Sequence, residues 1–154
     1  MFLLSLHRAA QPSYTVIAGC GRLGAGLADA LSDAGESVLV VDRRKDAFRK
    51  LTPSFGGLTL LGDATDLDVM EEAQMKKATV LVCVTDDDNT NILVAQLARK
   101  LYGVERVIAR LYDPDRECVY HELGIDTICP AVLSAQRIAS LLSGACTAKR
   151  GEAR

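Results

Sequence analysis

The sequence predicts an α/β fold: a doubly wound, Rossmann-type parallel sheet of six strands in the order 3-2-1-4-5-6, followed by one further helix. Three observations predict it. Apolar runs and helical periods alternate along the whole chain, as strands and crossover helices do. The first apolar run ends in Gly19-Cys20-Gly21-Arg22-Leu23-Gly24, the GxGxxG spacing of a strand-to-helix phosphate turn. The second ends in Asp42, roughly 20 residues beyond those glycines, where an acid can hold a ribose hydroxyl pair.

Size and composition set the frame. At 154 residues the chain fits one domain and is too short for a nucleotide domain plus a substrate domain. Hydrophobic residues make up 49% and charged residues 25%, a globular balance, and a net charge of −2 gives no electrostatic case for nucleic acid. No apolar stretch reaches the roughly 18 residues that cross a bilayer, so direct membrane insertion is not expected. Residues 1–12 read as an N-terminal arm that could dock on a partner, 13–143 as the nucleotide-binding domain and 144–154 as a polar tail.

Taken in order, residues 14–18 form a buried strand, and Leu23, Leu27, Ala30, Leu31 and Ala34 recur at helical spacing until Gly35. In the turn between them, Gly19 permits the sharp bend, Gly21 permits close approach of backbone to a pyrophosphate, and Gly24 lets helix and sheet pack closely. The helix start presents free N–H groups and a positive dipole end to an anion. Residues 37–41 are the second strand. Arg43-Arg44-Lys45 after Asp42 reads as a solvated helix start or, for an arginine, a phosphate contact; Asp42 favours an unphosphorylated ribose. A short helical stretch through Phe48 and Leu51 ends at Pro53 and Gly56-Gly57.

Residues 58–61 are a third strand running into Gly62-Asp63-Ala64-Thr65-Asp66, where Thr65 or Asp66 caps a helix carrying Val69, Met70 and Ala73. Residues 78–84 give the most continuous strand signal, with 80–84 in one apolar run, as expected for a parallel strand buried on both faces. It ends in Thr85-Asp86-Asp87-Asp88-Asn89, acids that read as helix caps rather than metal ligands, because consecutive carboxylates cannot converge on one ion. A helix over 91–101 places Leu93, Leu97 and Leu101 on one face. Residues 106–109 form the fifth strand, Asp113-Pro114 start a helix that runs to Gly124, and 126–129 form the sixth strand. The last helix, 131–142, is apolar around half its circumference with Leu133 opposite. That predicts packing on its own sheet and on a second subunit, or a wide core-facing helix.

Cys20, Cys83, Cys118, Cys129 and Cys146 form no CxxC pair, and only His7 and His121 are available beside them, so no zinc site is expected. Cys20 reads mainly as a small residue tolerated between glycines; a redox-sensitive thiol at a helix start is the other reading.

The glycine turn, Val41-Asp42, Gly62-Asp63-Ala64-Thr65-Asp66, Val84-Thr85-Asp86-Asp87-Asp88-Asn89-Thr90-Asn91, Val107-Ile108-Ala109-Arg110 and residues 123–130 together resemble the N-terminal RCK domain of the TrkA/KtrA potassium-transport regulators. The resemblance spans residues 13–143. It implies a cytoplasmic regulatory subunit that binds NAD(H), ATP, ADP or AMP, forms a homodimer or higher oligomer, and gates an integral-membrane potassium channel or transporter. It also implies roles. Gly19, Cys20, Gly21, Leu23 and Gly24 bracket the phosphates, and Arg22 reaches a terminal phosphate, in its own or a neighbouring subunit. Asp42, with Arg43 beside it, holds the ribose; Asp63 and Ala64 face the adenine; Thr85 lines the fourth strand's tip; Arg110 contacts phosphate. The last helix matches the family's crossover helix.

Family members commonly carry a second RCK domain, which these 154 residues do not include; a ligand of that domain has no site in them, and either a partner chain supplies the domain, or the chain is a stand-alone subunit or a piece of a longer one. Two other functions stand beside this one. A nucleotide-sensing module of another transporter or antiporter needs the same residues. A small NAD-dependent oxidoreductase needs a general acid and a substrate pocket, and neither a Tyr-x-x-x-Lys pair nor a His–carboxylate pairing stands in the sequence.

Overall fold

The computed structural model describes residues 13–144. Strands β1 (Tyr14–Ala18), β2 (Ser37–Asp42), β3 (Leu58–Leu61), β4 (Val80–Cys83), β5 (Arg106–Arg110) and β6 (Asp126–Ile128) form one all-parallel sheet in the order β3-β2-β1-β4-β5-β6. This is the predicted doubly wound order. Its register follows from side-chain alternation: Val16, Ala18, Leu39, Val41, Leu81, Cys83, Val107 and Ala109 belong to one core, while Ile17, Val38, Val40, Val82 and Val84 belong to the other. Both faces of the central strands are thus dry, which explains their near-continuous apolar sequence.

Helix α1 (Arg22–Asp33) and a 3-10 turn (Lys45–Lys50) cover the second core through Ala25, Ala28 and Ala47. On the opposite face lie α2 (Leu67–Glu72), α3 (Asp88–Leu101) and α4 (Glu117–Glu122), contributing Met70, Val94, Ala95, Ala98 and Tyr120. Chain connections therefore leave β1 towards opposite faces on its two sides. Such a switch point opens a crevice at the carboxyl ends of β1 and β4.

Several details differ from the sequence expectation. The fourth strand is shorter than 78–84, because Ala78 closes a 3-10 turn (Met75–Lys77) that feeds it. The helix expected from Asp113-Pro114 is a 3-10 turn (Pro114–Arg116) continuing into α4. In α3, Leu93 and Leu101 are exposed and the buried face is Asn91, Val94, Ala95 and Ala98. Small side chains win there because they let the helix approach the sheet closely.

The final helix, α5 (Pro130–Leu142), buries none of its residues; Leu133, Ile138, Leu141 and Leu142 are all exposed. The expectation that it packs on its own sheet, or serves as a wide core-facing helix, is corrected. With apolar residues on opposing sides it matches no single face of its own domain. The expected arm, 1–12, and nearly all of the expected tail lie outside the described residues. No helix among the described residues is long and apolar enough to cross a membrane.

Candidate functional site

The site starts where β1 ends. Gly19 has φ +108°, and its N–H donates to the Val41 carbonyl at 2.8 Å. A Cβ there would lie 2.9 Å from the Val84 carbonyl and the Thr85 nitrogen, so the turn rests directly on the tip of β4. A Cβ at Gly24 would run into the carbonyl oxygen of Gly19. Gly21 differs from both. Its backbone (φ −78°, ψ −167°) suits any residue, and a Cβ would meet nothing within 4 Å. A side chain there would clash with nothing in the described chain, and glycine's local advantage is only that of an N-cap residue.

Asp42, the last residue of β2, reaches across to this turn. One carboxylate oxygen accepts the Cys20 N–H at 2.8 Å, and the other accepts the Arg44 N–H at 2.9 Å. An ionised carboxylate has about four lone-pair sites, so two remain for a ligand's hydroxyl pair. At the tip of β3, Asp63 accepts the Thr65 N–H at 2.9 Å and the Thr65 hydroxyl at 2.7 Å. These bonds hold its carboxyl below the usual carboxylate range; burial opposes the shift and Arg43 adds to it. A lowered pKa adds stability above the unfolded value, which is lost as pH falls through the folded one.

Asp66 caps α2 and Asp87 caps α3, as their sequence context predicts. The turn after β5 is capped by Asp113. Helix α1, by contrast, has neither a side-chain cap nor an acid in its first turn. The start of α5 lacks both as well; what sets α1 apart is that its orphan N–H groups and dipole end follow directly on the glycine turn at the tip of β1, where an external anion can meet them.

Across the turn, Arg110 at the end of β5 donates from Nη2 to the Thr85 carbonyl at 2.7 Å and stacks 4.7 Å from the Tyr112 ring centroid. Its Nε is buried without a hydrogen-bond partner among the described residues, an unusual state for a guanidinium. Behind both strand tips sits Asn91, completely buried, bonded to Thr85 and to the Arg110 carbonyl.

These groups surround a cleft of about 220 Å³. Of the residues expected from the sequence, Gly19, Gly21, Asp42, Arg43, Asp63, Ala64, Thr85 and Arg110 line it. Arg44, weighed from the sequence only as one of a basic cluster, lines it too, as do Gly62, Asp86 and Thr90, to which the sequence assigned no contact. Four expected residues do not line it. Cys20 is fully buried, with Sγ 3.5 Å from the Ala47 carbonyl, and Gly24 lies under the turn against Gly19. Arg22 and Leu23 are exposed on the first turn of α1 and are absent from the cleft wall.

The redox reading of Cys20 is also corrected. Burial, then the nearby Asp42 carboxylate, push its thiol pKa up, so the thiolate is disfavoured despite the helix start. In native protein, a maleimide should label the exposed Cys118 while sparing the buried Cys20 and Cys83 until denaturant is added. Peptide mapping reads this directly; native labelling of Cys20 would show that the turn opens.

Fold and cleft together define a Rossmann-type domain with a crevice at its β1/β4 switch point. The TrkA-N domain family matches residues 15–130, and the chain belongs to that family. It is 43% identical over 125 residues to the Trk system potassium uptake protein TrkA of Streptomyces coelicolor, a match covering 81% of this chain and 56% of that protein. The chain thus spans little more than half the length of that relative. Among solved structures, the TrkA-N domain of inner membrane protein ybaL from Escherichia coli superposes with a TM-score of 0.76 at 20% identity. That match covers 86% of this chain and 98% of that one. The Kef CTD of Shewanella denitrificans in AMP-bound form superposes with a TM-score of 0.75 at 24% identity, covering 89% of this chain and 84% of that one.

Proposed function

We propose that the chain is the nucleotide-sensing domain of a cytoplasmic potassium-uptake regulator, binding NAD(H) or an adenine nucleotide and gating an integral-membrane potassium channel or transporter. It acts as a sensor, not an enzyme. The carrying observation is the uncapped start of α1 with Gly21 open beside it in the cleft wall, where α2 and α3, whose starts flank the same sheet end, carry aspartate caps. The orphaned Arg110 Nε on the same cleft suits an anion as well. Adenosine would lie on the β2/β3 side, its ribose on Asp42 and its base by Asp63 and Ala64, with phosphate at Gly19 and Gly21. Arg43 lines the same end. Arg22, exposed and off the wall, would serve a phosphate only across a subunit boundary.

Among the described residues the cleft wall holds no His and no Tyr, and its Asp42 and Asp63 are bonded to backbone or hydroxyl groups, which supports sensing over turnover. A potassium-uptake partner is supported by the 43% identity to a potassium uptake protein. The likeness to the AMP-bound Kef domain favours an alternative, a nucleotide-sensing module of another transport system, with the same cleft in use.

Thermal-shift screening with NAD, NADH, NADP, AMP, ADP and ATP tests this reading. At about 100 times Kd, a ligand contributes ~2.7 kcal/mol, which for a chain of this size raises Tm by roughly 5–10 °C. NADP should do worst, because Asp42 repels a 2′-phosphate. No shift with any of them would sink the sensor reading.

The unpaired α5 supports a homodimer in which this helix crosses to a second copy. Ile138 and Leu142 stand exposed on it. Ile138→Asp with Leu142→Asp should convert dimer to monomer in light scattering, without loss of the far-ultraviolet helix signal. A dimer that persists would place the interface elsewhere.

A further inference from the structure

We infer that Asn91, which does not line the cleft, is a positioning residue that fixes the Thr85 hydroxyl as a hydrogen-bond acceptor, so that the β4 end of the cleft recognises a donor group of the ligand. The inference rests on the nucleotide reading above and deepens it.

Backbone chemistry fixes the orientation of the Asn91 amide. The Thr85 N–H is an obligate donor and lies 2.9 Å from one terminal atom, which must therefore be Oδ1. The Thr85 and Arg110 carbonyls are obligate acceptors and lie 3.2 and 3.1 Å from the other, which must be Nδ2. Oδ1 carries no proton. The Thr85 hydroxyl, 2.7 Å from Oδ1, must then donate to it, and its competing contact to the Asp87 carbonyl is longer at 3.2 Å.

With its one proton committed inward, the hydroxyl oxygen turns only lone pairs outward. Asp87 N–H approaches it loosely, at 3.4 Å, and a second lone pair remains. Thr85 lines the cleft, so what it offers there is an acceptor. A phosphate oxygen, itself an acceptor, is disfavoured; a sugar hydroxyl or an amide N–H fits. Because β4 and β5 lie across β1 from β2 and β3, this acceptor stands at the end opposite the proposed adenosine. The second half of a dinucleotide supplies such donors there, whereas AMP stops at the turn.

Isothermal titration of the full chain with NAD and with AMP tests this. In Asn91→Ala and in Thr85→Val, NAD affinity should fall about tenfold, the double variant should lose little more, and AMP affinity should fall less than about threefold. Non-additivity is the signature of one residue acting through the other. Asn91→Ala that binds NAD within about twofold of wild type, or losses that simply add, would overturn the inference and leave the nucleotide reading standing. Should Asn91→Ala fail to fold, Thr85→Val alone decides: it removes only the hydroxyl, and undiminished NAD affinity overturns the acceptor. Wild-type protein that binds neither probe would overturn the nucleotide reading itself, and this inference with it.

Discussion

Gly24→Ala should unfold or severely destabilise the domain, while Gly21→Ala, three residues away in the same turn, should leave the fold intact and weaken nucleotide binding. For Gly24 two effects oppose each other. Alanine in a helix is favoured over glycine by about 1 kcal/mol. Against that, its Cβ would collide with the Gly19 carbonyl oxygen and press on Val84 Cγ2 at 3.2 Å. Backbone oxygen cannot move aside without dragging the turn off β4. Overpacking of this kind typically costs 1–3 kcal/mol and occasionally more; with backbone as the obstacle we expect about 3 kcal/mol or more, a fall in Tm of roughly 6–12 °C.

At Gly21 the signs change. Alanine fits the backbone and meets nothing, so the stability loss is that of a poorer N-cap, about 1 kcal/mol or less. The new methyl would instead occupy the ligand's approach, and affinity for AMP or NAD should fall by about tenfold or more. Denaturant melts and titration of both variants read the contrast. Normal nucleotide affinity in Gly21→Ala would mean that the phosphate does not approach this turn.

The contrast also marks what the sequence could and could not say. Strand order was legible because buried parallel strands leave continuous apolar runs, and the tips of β1 to β5 carry the residues that line the cleft. Asp42 and Asp63 were legible for the same reason: position at a strand end fixes direction. Inside the glycine motif, Cys20, Arg22, Leu23 and Gly24 stand off the cleft wall. Successive residues on a helix point about 100° apart, so a contiguous motif cannot present every member to one cleft. Asn91 does carry a signal in the sequence. It stands three, four and seven residues before Val94, Ala95 and Ala98, a polar side chain on an otherwise apolar helical face. Its Arg110 partner, 19 residues on, becomes visible only once β4 and β5 pair. What covers α5 is not legible in the sequence, because no face among the described residues buries the helix.

Asp42→Ala should produce the largest loss of binding. Under the proposed placement the carboxylate accepts two ribose hydroxyls, and hydrogen bonds to a charged group contribute roughly 1.5–3 kcal/mol each, so AMP affinity should fall on the order of a hundredfold or more. The same carboxylate holds the Cys20 and Arg44 N–H groups, so stability should fall too, by roughly 1–3 kcal/mol for the buried Cys20 donor left unpaired. The two losses must be separated, since a sagging turn would weaken any ligand. A ligand-side change does this: 2′,3′-dideoxy-AMP lacks both hydroxyls and leaves the protein untouched. If Asp42 reads the ribose, wild type should bind the dideoxy compound about as weakly as Asp42→Ala binds AMP, and the variant should not distinguish the two nucleotides. If Asp42 serves only to brace the turn, wild type will bind both equally and the variant will lose both in parallel. That second pattern would strip Asp42 of its ligand role and leave it as the strut between β2 and the turn.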